Sequence, residues 1–163
     1  MEQQAYAIAV NPDGIPDYLK ERPQWIVWRF EKRDGKYIKV PFSAWKNTRA
    51  SSTDLLTWTT FEAAYTIYRT DERYRGVGFV FCSGDPFVGI DLDNCRDPLS
   101  GELESWAQDI LDQYPGAYVE VSPSGEGVHI IIRGKVPEGS RKRKGSIEIY
   151  DQGRYFAITG VTA

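Results

Sequence analysis

The sequence predicts an α+β protein with a mostly antiparallel sheet, on three observations. Short β-branched and aromatic runs recur along the chain, among them Gln24–Phe30, Gly76–Cys82 and Val128–Arg133. Helical signals are few, at Ile15–Glu21, Thr59–Tyr68 and Glu102–Gln113. Their order, αββα followed by ββαββββ, clusters strands instead of alternating them with helices. The chain has 163 residues, 41% hydrophobic and 26% charged, which suits one domain with a core that needs no disulfide or metal staple.

Each element has a local cause. Asn11-Pro12-Asp13-Gly14 is turn chemistry, and Ile15–Glu21 reads as a short helix ended by Pro23. Gln24–Phe30 is a strand, Lys32–Gly35 supplies an Asp-Gly turn, and Lys36–Phe42 is the hairpin partner, with Pro41 marking an edge position. Lys46–Ser52 is a polar, basic loop. Ser51–Asp54 offers helix caps ahead of the helical spacing at Thr59–Tyr68. Gly76–Cys82 and Phe87–Leu92 are apolar strands joined by Ser-Gly-Asp-Pro. Glu102–Gln113 carries Leu103, Trp106, Ala107, Ile110 and Leu111 on one stripe. Tyr118–Val121 and Val128–Arg133 flank a tight Gly-containing turn, and Ser146–Tyr150 and Arg154–Thr159 form a last pair around Asp151-Gln152-Gly153. This order places a small N-terminal αβ module before an RRM-like sheet.

Charge is segregated. The net charge is −3, yet Lys20–Arg49 holds nine basic residues against three acids, Asp85–Glu126 ten acids against one Arg, and His129–Gly145 six basic residues against one acid. A basic surface suits a polyanion, and carboxylates beside it suit divalent cations. The run Arg141-Lys142-Arg143-Lys144 reads equally well as a solvated loop. One histidine and two cysteines, Cys82 and Cys95, exclude a four-ligand Cys/His zinc site and chemistries that need two histidines. Two cysteines are too few for a secreted disulfide framework, so the expected compartment is cytoplasmic. No apolar run approaches the ~18 residues of a membrane span.

Three places could carry chemistry. In Ile90-Asp91-Leu92-Asp93 the strand period turns Asp91 and Asp93 to one side. Two adjacent carboxylates repel, and a divalent cation relieves that conflict; the plain alternative is a strand running into a polar turn. Ser122-Pro123-Ser124-Gly125-Glu126-Gly127-Val128-His129 brings backbone N–H groups, hydroxyls and the sole histidine to one turn, as a phosphate nest does, or forms a simple hairpin turn. It is neither a Walker loop nor a serine-hydrolase elbow. Glu148, between Ile147 and Ile149, reads as solvent-facing unless it meets Asp91 and Asp93.

In this order, a hydrophobic-flanked DxD, an SxxGxGxH turn and a hydrophobic-flanked acid resemble the three motifs of archaeo-eukaryotic primases. The likeness is greatest to the primase-polymerase domain of phage and plasmid replication proteins. It extends over nearly the whole chain, including QWIVWRF, KVPF, ASSTD, TW and the closing GRYFAITG. The resemblance implies an archaeo-eukaryotic primase catalytic core across residues 1–163. It implies DNA polymerase or primase activity by two-metal-ion nucleotidyl transfer with pyrophosphate release. Asp91, Asp93 and Glu148 correspond to the ligands of two Mg²⁺ or Mn²⁺ ions. Ser122, Ser124, Gly125, Gly127 and His129 correspond to the groups that hold the dNTP or NTP, with His129 also in the catalytic set. Lys39, Arg49 and Arg154 are further candidates for phosphate contacts, and Asp151 is the rival to Glu148. The implied partners are a DNA template and primer, nucleoside triphosphates and a helicase domain, in the host cytoplasm and away from membrane. Some relatives carry a zinc-binding element, for which this chain has too few ligands. Relatives also carry a helical region and an ATPase domain further on, and the closing Thr-Gly-Val-Thr-Ala suggests an N-terminal piece of a longer primase-helicase-type protein.

Two other classes compete. A single-stranded nucleic-acid-binding module with an RRM-like sheet would stack bases without chemistry and keep binding when Asp91 and Asp93 are replaced. A metal-dependent nuclease or repair protein would use the same acids, leave the SxxGxGxH turn unexplained and shorten DNA.

Overall fold

A computed structural model describes residues 6–137 and 142–163, so Arg141 of the basic run lies outside the described residues. The elements are α1 (Asp17–Lys20), β1 (Trp25–Arg33), β2 (Lys36–Phe42), α2 (Phe61–Thr70), β3 (Gly76–Phe81), β4 (Phe87–Leu92), α3 (Ser105–Asp112), β5 (Tyr118–Val121), β6 (Val128–Arg133), β7 (Arg143–Lys144), β8 (Ile147–Tyr150) and β9 (Arg154–Ile158). They form an α+β protein with two antiparallel sheets, ordered β2-β1-β3-β9 and β5-β6-β4-β8-β7.

Local chemistry sets the hairpins and helices. Asp34 and Gly35 both take positive φ (50° and 78°), which matches the twist of a two-residue hairpin turn and lets β1 run on to Arg33. Pro41 lies in β2, an edge strand, where its missing N–H costs no ladder bond. The Thr60 hydroxyl accepts from the Ala63 N–H (3.2 Å) and starts α2. Asp54 caps a short 3-10 turn at Leu55–Thr57, not α2.

The last two strands depart from the expected pair. β9 joins β3 in the first sheet, Val77 opposite Ile158 through Phe81 opposite Arg154, whereas β8 joins β4 in the second. The link between them is a corner, not a hairpin turn. The Gly153 N–H donates to the Phe81 carbonyl (3.1 Å), and Asp151 Oδ2 accepts from the Val136 N–H (2.9 Å), so the linking residues are fastened to other elements. β3 and β4 likewise lie in different sheets despite their five-residue link. The expected division into an N-terminal module and a following sheet is therefore corrected: β3 and β9 complete the sheet begun by β1 and β2.

Two cores hold this arrangement. In one, Trp25, Phe79, Phe81, Phe156 and Ile158 of the first sheet pack with Phe61 and Ala64 of α2 and with Phe87 and Ile131 of the second sheet. Edge-on rings run through it, Trp25–Phe61 at 4.9 Å and Phe81–Phe156 at 5.0 Å between centroids. In the other, Val88, Ile90, Leu92, Val128 and Ile130 meet Ala107, Trp106 and Ile110 of α3. Each fully buried Val, Leu, Ile or Phe among them contributes about 1.5–3 kcal/mol. α3 covers one face of the second sheet, and the opposite face meets the first sheet. Contact there requires Gly89, whose Cβ would lie 2.5 Å from the Phe156 ring and 2.6 Å from that of Phe81. No helix among the described residues is long and apolar enough to cross a membrane.

Candidate functional site

One row of residues crosses the second sheet. Glu120 on β5 is opposite His129 on β6, His129 opposite Asp91 on β4, Asp91 opposite Glu148 on β8, and Glu148 opposite Arg143 on β7. Directly opposed residues share a face, so three acids and the histidine line up on the side away from α3. Register, not sequence proximity, brings them together. Register places Glu148, not Asp151, opposite Asp91, and Asp151 Oδ2 accepts from the Val136 N–H. Asp93 follows β4, its N–H donating to the Ser146 carbonyl (2.8 Å), and the left-handed Asn94 (φ 52°) turns the chain away.

The contacts differ along the row. The His129 Nδ1 lies 2.8 Å from Glu120 Oε2, and Nε2 lies 3.6 Å from Asp91 Oδ1, beyond hydrogen-bond reach. Asp91 Oδ1 is buried with no hydrogen-bond partner among the described residues. Burial raises the Asp91 pKa, with Asp93 and Glu148 adding to the rise and His129 and Lys39 opposing it. For His129, burial works to lower the pKa, and Glu120 and Asp91 outweigh it to give a net rise. Glu148 is engaged elsewhere: it accepts from the Tyr150 hydroxyl (2.6 Å) and pairs with Arg143 (3.2 Å).

A cleft of about 450 Å³ lies over this row, a size suited to a nucleotide-sized ligand. Asp91, Asp93, Ser122, Ser124 and His129 line it from the second sheet. Phe30, Tyr37 and Lys39 of the β1–β2 hairpin and Tyr155–Ala157 of β9 line it from the first. A groove of about 480 Å³ at Tyr18, Phe87, Tyr114 and Arg133 is as large but is lined by no carboxylate. Of the remaining candidates, Arg49 pairs with Glu31 (2.8 Å) and Arg154 lies over the Tyr150 ring (5.0 Å); neither lines the cleft. The Ser122–Gly127 turn spends its own N–H groups. Gly125 donates to the Ser122 carbonyl (2.9 Å), Glu126 to Ser124 Oγ (3.2 Å) and Gly127 to Ser122 Oγ (3.0 Å). Ser122, Ser124 and His129 are the polar residues of this segment that line the cleft.

The oxygen donors and the orphaned Asp91 Oδ1 fit a hard divalent cation at Asp91 and Asp93. Among the described residues no three His, Cys, Asp or Glu side chains already converge as a metal cage, and Glu148 is paired with Arg143 and Tyr150. Glu120 was missed in the sequence. Its signal was the hairpin register: with Val121 opposite Val128, the residue before Val121 faces His129.

No family model matches the chain. The chain is similar to a DNA primase-polymerase of Nitratiruptor phage NrS-1, at 36% identity over 149 residues. The match covers 87% of this chain and 20% of that protein, so the chain spans about a fifth of the relative's length.

Proposed function

We propose that the chain is a primase-polymerase-like domain of the archaeo-eukaryotic primase type, and that it catalyses template-directed nucleotidyl transfer to DNA. The observation that carries the reading is the buried Asp91 Oδ1, which has no hydrogen-bond partner among the described residues, beside Asp93 on the wall of a nucleotide-sized cleft. The likeness to a phage DNA primase-polymerase supports the same reading.

Asp91 and Asp93 would hold Mg²⁺ or Mn²⁺, which when bound acidifies a primer 3′-hydroxyl and stabilises the triphosphate and the leaving pyrophosphate. Glu148 would join them by exchanging its Arg143 and Tyr150 contacts. The chain's own groups do the positioning on which phosphoryl transfer depends. Ser122, Ser124 and His129 offer donors to phosphate oxygens, and Lys39 adds charge from the facing hairpin. Phe30, Tyr37 and Tyr155 give ring faces for the base and sugar.

One observation favours a second reading, a nucleic-acid-binding module without catalysis: Glu148 already has partners, leaving two free acids rather than three. Extension of a labelled primer on a DNA template with dNTPs or NTPs, in Mg²⁺ or Mn²⁺, separates the two. Nucleotidyl transfer gives template-dependent extension with pyrophosphate release, abolished in Asp91→Ala/Asp93→Ala. Binding without extension in either protein supports the module, and shortening of the DNA points to a nuclease.

A further inference from the structure

The groove of about 480 Å³ outside the acidic cleft joins two chemistries. Tyr18, Phe87, Tyr114 and Tyr118 supply rings to its lining, and Arg133 is the one charged residue that lines it among those described. The Arg133 guanidinium lies 5.5 Å from the Tyr18 ring centroid and 5.2 Å from that of Phe87, and Arg22 lies 5.2 Å from the same Phe87 ring. The Tyr18 and Phe87 rings are 5.6 Å apart, with 31° between planes. Arg29, Arg49, Arg73 and Arg143 are paired with carboxylates. Among the described residues Arg22 and Arg133 are held against rings instead, which leaves their charge for an anion. Tyr18 and Arg133 are exposed, and the rim is open: outside the chain neighbours, nothing stands within 4 Å of where a Gly116 Cβ would lie.

The strand register places this groove relative to the cleft. Phe87 is opposite Arg133 across β4 and β6, as Asp91 is opposite His129 four residues on. Alternation puts both pairs on one face of the second sheet, about 13 Å apart along β4. Between them the Phe81 and Phe156 rings crowd against Gly89. A ligand in the groove is therefore divided from the carboxylates by packed rings.

We infer that this groove is a second binding site, for unpaired bases of single-stranded DNA, with the adjoining phosphates at Arg133 and Arg22. That the strand is DNA rests on the reading of the cleft given above; the groove rests on its own residues. Exposed rings offer stacking faces that an unpaired base can meet, whereas the faces of a base in a duplex are already covered. A guanidinium beside those rings adds charge for the backbone and a further plane for stacking. In a chain of net charge −3, a groove whose charged lining residue is a cation complements a polyanion.

The test uses the whole chain and an oligothymidylate carrying 5-iodouracil. Irradiation of the complex should cross-link the base to Tyr18 or Tyr114, as tandem mass spectrometry would locate. Arg133→Gln and Tyr18→Ala should each weaken oligothymidylate binding about tenfold in fluorescence anisotropy. Arg133→Gln should also lower the salt slope of log affinity by about 0.7. Both variants should bind dTTP as the native chain does, because neither residue lines the cleft. Arg69→Gln makes the same charge change at an arginine that also lies over a ring, Tyr65 at 5.6 Å, but outside the groove; its affinity should stay near native.

Cross-links confined to the cleft overturn the inference, and that result stands even if Tyr18→Ala fails to fold. So does native affinity and slope in both groove variants, or an equal loss in Arg69→Gln, which would reduce the effect to net charge. Sedimentation without DNA adds one more outcome against it: a dimer that Tyr18→Ala dissociates gives the groove to a second copy of the chain. The two readings fail separately. Cross-links at the groove in a chain that extends no primer sink nucleotidyl transfer and leave the groove; primer extension without such cross-links sinks the groove alone.

Discussion

At the scale of single residues, Asp91 combines a half-buried side chain, a raised pKa and a buried oxygen, Oδ1, without a partner among the described residues. Such a group costs stability in the cation-free fold, and the proposed cation would relieve that cost. Asp91→Asn should lower nucleotide incorporation by more than about a hundredfold. The melting temperature should hold or rise, because the amide no longer repels Asp93 and Glu148; extension kinetics and calorimetry on one preparation check both. Cys95 reports on the same ground. Burial, with Asp91 and Asp93 nearby, pushes its thiol up to about 11. Alkylation at pH 8 should therefore be at least about a hundredfold slower than for a free thiol until denaturant is added, as peptide mapping after iodoacetamide would measure. Asp91 and Asp93 were legible in the sequence because strand alternation is a local property. Preferring Glu148 over Asp151 relied on flanking residues alone, and the register of β8 against β4 gives the physical reason. Glu120 was hidden because a lone Glu in a strand carries no local sign of what lies opposite.

At the scale of elements, the site exists because four neighbouring strands align one row, and because the β4 backbone is bare where Phe156 crosses it. Gly89→Ala would drive a methyl into the Phe156 and Phe81 rings, which are buried and have nowhere to move. A loss of about 1–3 kcal/mol is expected, measured by urea unfolding. Phe156 also carries the His129 ring, so nucleotide affinity should fall along with stability. The elements themselves were largely readable: turn chemistry located the β1–β2 hairpin, and apolar spacing located α2 and α3. The β8–β9 pairing was not readable. Two short strands across three turn residues look alike whether they form a hairpin or a corner between sheets. What decides is the burial of Phe156 and Ile158 against β3, a contact some eighty residues away in sequence.

At the scale of the whole molecule, two sheets meet along an aromatic seam and leave a cleft between an acidic wall and a hairpin bearing Lys39. The alternating charge blocks of the sequence meet here in part: the acidic block supplies Asp91 and Asp93 to one wall of the cleft and the basic hairpin supplies Lys39 to the other. Lys39→Gln should weaken single-stranded DNA or nucleotide binding and reduce the salt slope of log affinity by about 0.7, one phosphate contact's worth on a single strand. Fluorescence anisotropy across a salt series measures it; an unchanged slope would remove Lys39 from the phosphate contacts. The measurement that bears most directly on nucleotidyl transfer is a crystal structure of the chain with Mn²⁺ and a non-hydrolysable deoxynucleoside triphosphate. The expected result is an anomalous Mn²⁺ peak held by Asp91 and Asp93, with the triphosphate at Ser124 and His129. A triphosphate bound elsewhere, with no Mn²⁺ at these two carboxylates, would contradict it.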